Sequence, residues 1–394
     1  MAAIPRIIVN ASFPRKVVQG ADLDLRPSNW NWVHCLTLPL EMLQTQQFSY
    51  RPYKWIRYAI GVVVGARGDL STTPDPSGVA ADYDADLPAG SVDLYYHTND
   101  NEKQKMFPID PDIFRTHVTT SVSTDWRGTF RDDVAQRDEQ KCVWTEMEAT
   151  FCDAVHLLAH SKTNDYISTF THCRGRDNED NFIEDIDSVQ NGIFLVRNAH
   201  LILGTQLAFL VTSNFAMNTD DVGGPPEEKR YTAHIIRTCT GRFPSDCVPG
   251  TSFQIAESPQ SPPDILFDAI YAGFVVLHFG TETMKDSTRK WKDTFYPKGA
   301  KTQREADYRA IIDERAATTE KSQEQGLDRN ERHERRTRRQ AHDLIDMLMA
   351  VPYILVSPDE HQEMMRQARE EAEAAEQRRV QEKVEEWIEY VNIA

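Results

Sequence analysis

The chain has 394 residues, of which 40% are hydrophobic and 9% aromatic, so it is long enough to bury a substantial core. Its net charge of −17 is the wrong sign for a protein that mainly coats nucleic acid, so any affinity for DNA or RNA depends on a local basic groove. It has neither an apolar run of the roughly 20 residues that cross a bilayer nor an apolar secretion segment at its start, so we expect an intracellular protein of the nucleus or cytoplasm, with no membrane contact.

Residues 1–106 form the first predicted region, where β-branched residues and glycines favour strands. Strands are predicted in RIIVNASF, WIRYAIGVVVGARG and SVDLYYHTND, and the last two are separated by the loop-forming LSTTPDPSGVAADYDADLPAGS. The region therefore predicts a small sheet with one long excursion. His97 has aromatic neighbours and is interpreted as a packed strand histidine, with stacking on a nucleic-acid base as the alternative.

Residues 107–298 form the second predicted region. Phe130 and Val134, among charged residues, predict a short helix that ends before Cys142. The segment between GGPPEEKR and ESPQSPPD is expected to be irregular, and the apolar ILFDAIYAGFVVLHFG is predicted to form a core helix.

Residues 299–394 form a predicted charged helical tail, rich in Ala, Glu, Gln and Arg. Near its end, apolar residues recur at spacings of three, four or five and form a narrow stripe: Ala368, Ala372, Ala375, Val380, Val384, Trp387 and Val391. Such a stripe favours a partner, so residues 360–394 are expected to contact a second copy of the chain, the body of the same chain or another protein.

The tail also contains a basic run, RNERHERRTRR, that is able to bind phosphates or serve as a nuclear import signal. Glu331 and Glu334 interrupt the run. A solvated helical face is therefore the favoured interpretation.

The six cysteines stand singly, without a CxxC pair, and are interpreted as buried, reduced thiols. A zinc site built from Cys142 and Cys152, with His156 and either His172 or Cys173, is an alternative. Ten residues separate the first two cysteines and no second close pair follows, so the spacing disfavours zinc.

Three residues of the central region suggest phosphodiester hydrolysis, which needs a base to activate water and a cation to stabilise charge at the phosphate. His156 lies in an apolar run, CDAVHLLAH, that would hold an imidazole rigidly. Asn191 begins an Asn-Gly pair that predicts a tight hairpin turn, with GIFLV as the return strand. His200 follows nine residues later, where a helix is able to present its imidazole to a metal.

This stretch resembles the HNH nucleases of the ββα-metal, or His-Me finger, superfamily, and particularly fungal HNH-type proteins. FRDDVAQRDEQKCVWT is similar to the lead-in of that family, CDAVHLLAHSKTNDYI to its first strand, IDSVQNGIFL to its turn and AHLILGTQLAFLVTSNFAM to its helix and exit. SPPDILFDAIYAGFVVLHFG resembles the downstream helix, so the likeness covers residues 107–297.

The resemblance implies His156 as the general base, Asn191 as the residue that orients the base or holds the turn, and His200 as a metal ligand. It implies a divalent metal, with Mg²⁺ as the usual ion and Mn²⁺ or Zn²⁺ as alternatives. Imidazole suits Zn²⁺ and oxygen-rich coordination suits Mg²⁺, so the choice stays open.

One position departs from the family pattern. Many HNH nucleases have an Asp or His directly before the base as a second metal ligand, and this chain has Val155. Asp153 would share the face of Val155 on a strand, displaced by about 7 Å, and is expected to reach the metal through water. Weaker candidates for a replacement ligand are His160, Asp185 and Asp187.

These patterns predict an α+β fold with an N-terminal sheet-containing region, a central ββα-metal HNH finger and a long charged helical C-terminal tail. The predicted function is metal-dependent hydrolysis of DNA or RNA. The alternative is a catalytically degenerate scaffold of the same fold that binds partners or self-associates through its tail.

Overall fold

The computed structural model describes residues 4–113, 126–175, 181–225, 228–236, 248–255 and 258–296. These residues all belong to one compact unit. The predictions for the helical tail, its apolar stripe and its basic run lie outside the described residues, as do Cys239 and Cys247.

The described strands form three sheets. The first is four-stranded, in the order β2-β1-β4-β3, the second pairs β5 with β6, and the third has the order β7-β8-β9. The strands are β1 Arg6–Pro14, β2 Trp30–Pro39, β3 Asp69–Ser71, β4 Val92–His97, β5 Cys152–His156, β6 Gly192–Val196, β7 Leu207–Thr212, β8 Arg230–Ile235 and β9 Ser252–Phe253.

The helices lie between and after these strands. Their bounds are α1 Leu40–Gln44, α2 Pro52–Val64, α3 Asp100–Gln104, α4 Trp126–Arg137, α5 Asn164–Arg174, α6 Arg197–Ile202, α7 Asp264–Phe279 and α8 Glu282–Phe295. The mixture of helices with largely antiparallel sheets confirms the α+β class. No described helix is both long enough and apolar enough to span a membrane.

The N-terminal sheet confirms two of the three strands predicted there. β1 alternates buried and half-buried residues, as expected for a strand with one face on the core. β4 pairs with β1 in parallel, and the loop-forming segment before β4 is the predicted excursion, with the short β3 at its start. The imidazole of His97 lies 2.9 Å from both Ser71 Oγ and Thr73 O, as expected of a packed strand histidine.

The third strand prediction, in WIRYAIGVVVGARG, is wrong because these residues form most of α2. Pro52 occupies the first turn, where its missing N–H costs nothing, and Gly65 ends the helix in the left-handed region at φ 72°. Ten of the 13 helical residues are buried, and burial on nearly all sides removes the polar positions from which a helical period would be recognised.

The predicted apolar core helix is confirmed as α7, which packs against α2. The indole N–H of Trp55 donates to the hydroxyl of Tyr271 at 2.6 Å, and the hydroxyl of Tyr58 donates to Asp268 at 2.5 Å. The domain boundary predicted near residue 106 stays a prediction. Residues from both sides of it share this core.

The segment expected to be irregular contains two strands instead. β8 pairs along its whole length with β7, and β9 extends the sheet. Every residue of β8 after Arg230 is buried, so this strand belongs to the core. The proline-rich stretches on either side of the segment led to the expectation of irregular structure.

Candidate active site

A strand-strand-helix unit carries Asp153, His156 and His200, and the segment that connects its two strands carries Asn191. β5 and β6 are antiparallel, and His156 at the end of β5 faces Gly192 at the start of β6. Helix α6 follows β6 without a loop and carries His200. The predicted order of strand, return strand and helix is therefore confirmed as local structure.

The tight hairpin turn predicted at the Asn-Gly pair is wrong. Residues 157–191 connect the strands and include α5, and Asn191 ends a short 3-10 turn, Val189–Asn191. Gly192 has φ −120°, which is extended strand backbone and not the positive φ of a type I′ turn. The turn rule applies only where the two strands are neighbours along the chain, and here residues 157–191 separate them.

The His156 ring is held by stacking and by a hydrogen bond. Phe130 of α4 stacks on it with ring centroids 3.9 Å apart and planes 7° apart. Nε2 lies 2.9 Å from Oδ1 of Asp187, and the side chain is 17% exposed. The imidazole therefore has a fixed orientation and retains access to solvent.

Asp187 links two histidines. Its Oδ2 lies 3.4 Å from Nε2 of His160, which is half exposed, and the two histidine rings are 5.9 Å apart. His160 and Asp187, weaker candidates in the sequence, are thus brought to the predicted base. Asp185 does not join them, because its carboxylate accepts the backbone N–H of Asp187 and shapes the turn.

Burial keeps His156 neutral. Desolvation lowers its pKa below the usual 6.5, and the positive charge of protonated His160 and His200 lowers it further, although Asp187 opposes the shift. At neutral pH the imidazole is unprotonated and one nitrogen is able to accept a proton.

Asn191 is fully buried and fastens the loop after β5 to the turn before β6. Its Oδ1 accepts the N–H of Leu158 at 2.8 Å, and its Nδ2 donates to the carbonyls of Leu158 at 2.9 Å and Ile186 at 2.8 Å. Because Leu158 lies two residues after His156, this amide sets the position of the imidazole without touching it. The predicted role of holding the turn fits this arrangement.

His200 pairs with Asp153 across the strand and helix. Nδ1 of His200 lies 3.7 Å from Oδ2 of Asp153, and Arg197 Nε lies 3.5 Å from Oδ1 of the same carboxylate. The neighbouring His200 and then Arg197 lower the pKa of Asp153 against the effect of burial. The carboxylate is therefore ionised at neutral pH, beside an imidazole that is 26% exposed.

Val155 supplies no ligand. It is 2% exposed and pairs with Ile193 across the strands. Among the residues that the structure describes, no group of three or more His, Cys, Asp or Glu side chains is arranged to hold a metal ion. Cys142 and Cys152 are buried thiols, as is Cys35, whereas Cys173 is half-buried.

Several other residues fix the loop between the two strands, and the sequence patterns did not indicate them. The ammonium group of Lys162 is buried and lies 2.9 Å from Asp110, which also pairs with Lys292 at 3.0 Å. Asn164 at the start of α5 accepts the N–H of Ile186 at 2.9 Å and so positions the residue before Asp187. These partners lie too far apart in the chain for any spacing rule to join them.

Comparison with known proteins adds no identification, since no family model, curated protein or solved structure matches the chain.

Proposed function

We propose that this protein is a metal-dependent nuclease that hydrolyses phosphodiester bonds of DNA or RNA. The observation that carries the proposal is a neutral, oriented and solvent-accessible histidine, His156, at the end of β5. In the same strand-strand-helix unit, the ionised carboxylate of Asp153 on β5 pairs with the imidazole of His200 on α6. The sequence resemblance to HNH nucleases assigns the same histidine as base.

His156 would take the proton of the attacking water. With Nε2 donating to Asp187, the neutral ring has its lone pair on Nδ1, and the described residues offer Nδ1 no hydrogen-bond partner. Asp187 would orient the ring and stabilise the imidazolium that forms when the proton is accepted.

Asp153 and His200 are the residues that would hold a divalent ion. Two donors that each bind one ion at about 2.1 Å lie about 3 Å apart, so a separation of 3.7 Å fits after a small adjustment. Water and phosphate oxygens would complete the coordination. A bound ion would supply positive charge against the phosphate and the leaving oxygen.

A second function, a catalytically degenerate scaffold, is favoured by one specific observation. Val155 is buried in the position where many HNH nucleases have a ligand, which leaves two protein donors on this side of the site. In that case the strand-strand-helix unit is a core element, and partner binding through residues 360–394 would be lost when Val384 and Trp387 are made polar.

A cleavage assay separates the two functions. Supercoiled plasmid, single-stranded DNA and single-stranded RNA are incubated with the protein and Mg²⁺, Mn²⁺ or Zn²⁺. We expect cutting that chelator abolishes, that His156→Ala reduces by about 100-fold or more, as for loss of a general base, and that His172→Ala, an exposed histidine of α5, leaves unchanged.

Metal binding is measured in parallel, by calorimetric titration of Mn²⁺. We expect His200→Ala and Asp153→Asn to weaken binding and cleavage together. Cleavage retained in His156→Ala would contradict the assigned base. If the native protein neither cuts nor binds the ion, the scaffold function is supported instead.

A further inference from the structure

A cavity of about 740 Å³ lies between α2, the end of α5, the residues after β7 and the start of α7. None of the residues that line it belongs to the candidate active site. Its volume is in the range of sites that enclose small organic ligands, which is roughly 300 to 1,000 Å³.

Asp268 of α7 lines this cavity and has an incomplete set of partners. Its Oδ1 accepts the hydroxyl of Tyr58 at 2.5 Å. Within the described ranges, Oδ2 receives no hydrogen bond and no lysine or arginine forms an ion pair with the carboxylate. Asp268 is half-buried and faces the cavity, so a carboxylate oxygen without a donor is available there for charge-assisted hydrogen bonds from a cation.

Two other charged residues at the cavity, Asp264 and Arg174, have partners of their own. Asp264, one helical turn earlier and also at the cavity, pairs with Lys229 at 2.7 Å. Arg174 lines the cavity too, but its guanidinium donates to the backbone carbonyls of Phe107 and Val62. It therefore affects Asp268 only through longer-range charge.

An aromatic ring forms another part of the wall. Phe215 lies 6.0 Å from the ring of Tyr58, and it approaches α2 closely at Gly61. A Cβ at Gly61 would be 2.3 Å from Cζ of Phe215, so only glycine allows the ring to lie there. Arg67 is exposed at the cavity, and its backbone N–H donates to Glu102.

We propose that this cavity binds a flat organic cation, of the amidine, guanidine or protonated amino-heterocycle class. The cationic N–H groups would donate to Asp268 and the ring would lie against Phe215, since aromatic faces attract cations and flat apolar surfaces. A polar or anionic substituent at the other end of the ligand would meet Arg67.

The ionisation of Asp268 agrees with this assignment. Burial raises the pKa of Asp268 to about 6, and Tyr58 opposes the shift. The carboxylate is therefore ionised above that pH, in surroundings where a cationic partner would lower its free energy.

Benzamidine is a suitable probe, with benzamide as an uncharged control of the same shape. At pH 7.5 we expect calorimetry to detect benzamidine binding to the full chain, with benzamide about tenfold weaker or worse because it lacks the charge-assisted hydrogen bonds. Equal binding of the two compounds, or no binding of benzamidine, would overturn the proposal.

Two further measurements locate the ligand. Asp268→Asn should weaken benzamidine about tenfold, whereas Asp286→Asn, an exposed change on α8, should not. Cys173 lines the cavity, so saturating benzamidine should slow its alkylation in the native protein, a readout that requires no variant. Native affinity in Asp268→Asn, or unchanged alkylation of Cys173, would place the ligand elsewhere.

Discussion

His156 takes its chemical character from residues far from it in the chain. Phe130 and Asp187 lie 26 residues before and 31 residues after it, and both contact its ring. The sequence identified the histidine from its apolar run, but the ring that stacks on it and the carboxylate that orients it depend on how α4 and residues 157–191 fold over β5.

This environment predicts the pH dependence of cleavage. Since burial holds the pKa of His156 below 6.5, the base stays unprotonated at neutral pH, and activity should fall only as the pH drops through the lowered pKa. Asp187→Asn removes the partner that raises the pKa, so the acid limb should move to lower pH while the maximal rate falls.

The measurement is the pH profile of kcat/KM in native protein and Asp187→Asn, with Asp185→Asn as the matched control because that carboxylate does not contact His156. An acid limb above pH 6.5, or one that moves upward in Asp187→Asn, would contradict this account.

At the scale of elements, helix α4 packs closely on β6 because the residue at the contact is a glycine. A Cβ at Gly192 would lie 2.6 Å from Val134 and 2.8 Å from Phe130, both on α4. Because Phe130 also stacks on His156, the contact joins the packing of the helix to the orientation of the imidazole.

Gly192→Ala should therefore both destabilise the fold and reduce cleavage. Overpacking of this kind costs about 1–3 kcal/mol in the free energy of unfolding, and displacement of Phe130 would loosen the His156 ring. Gly90→Ala is the control, since a Cβ there meets nothing within 4 Å. Urea denaturation and cleavage rates test both effects, and native values of both in Gly192→Ala would refute the coupling.

Elements were predictable where the sequence pattern is local. β1 and β4 followed from β-branched residues and glycines, and α7 followed from a long apolar run. α2 was not predictable in this way, because a helix buried on nearly all sides resembles a buried strand in composition. A short stretch of sequence does not show which strands pair, so the Asn191–Gly192 pair predicts a hairpin although residues 157–191 separate β5 from β6.

At the scale of the whole molecule, His234 lies where three elements meet. It is 2% exposed in β8, its Nδ1 lies 2.6 Å from the hydroxyl of Tyr271 in α7, and the same hydroxyl accepts the indole N–H of Trp55 in α2. Burial lowers the pKa of His234 to about 3.

The free energy of unfolding should consequently fall in acid. This histidine is protonated near pH 6.5 in the unfolded chain and only near pH 3 in the folded protein. The stability that a neutral His234 contributes is therefore fully present above pH 6.5 and is lost as the pH falls across that interval. The slope contributed by one such proton is at most about 1.4 kcal/mol per pH unit.

Urea denaturation at pH 7.5, 5.5 and 4.5 checks this, with His234→Asn compared to the native protein so that other titrating groups cancel. His234→Asn should lose less stability in acid than the native protein. His172→Ala, a change of an exposed histidine, should lose as much as the native protein does. Parallel pH dependences in His234→Asn and native protein would contradict the prediction.

The hydrogen bonds between α2 and α7 also bear on how such a protein is inherited or engineered. A cassette that carried only residues 107–298 into another chain would include Tyr271 and Asp268 without Trp55 and Tyr58, the donors that the first 64 residues provide. The predicted central region and the N-terminal sheet are therefore expected to be exchanged, shortened or duplicated only together.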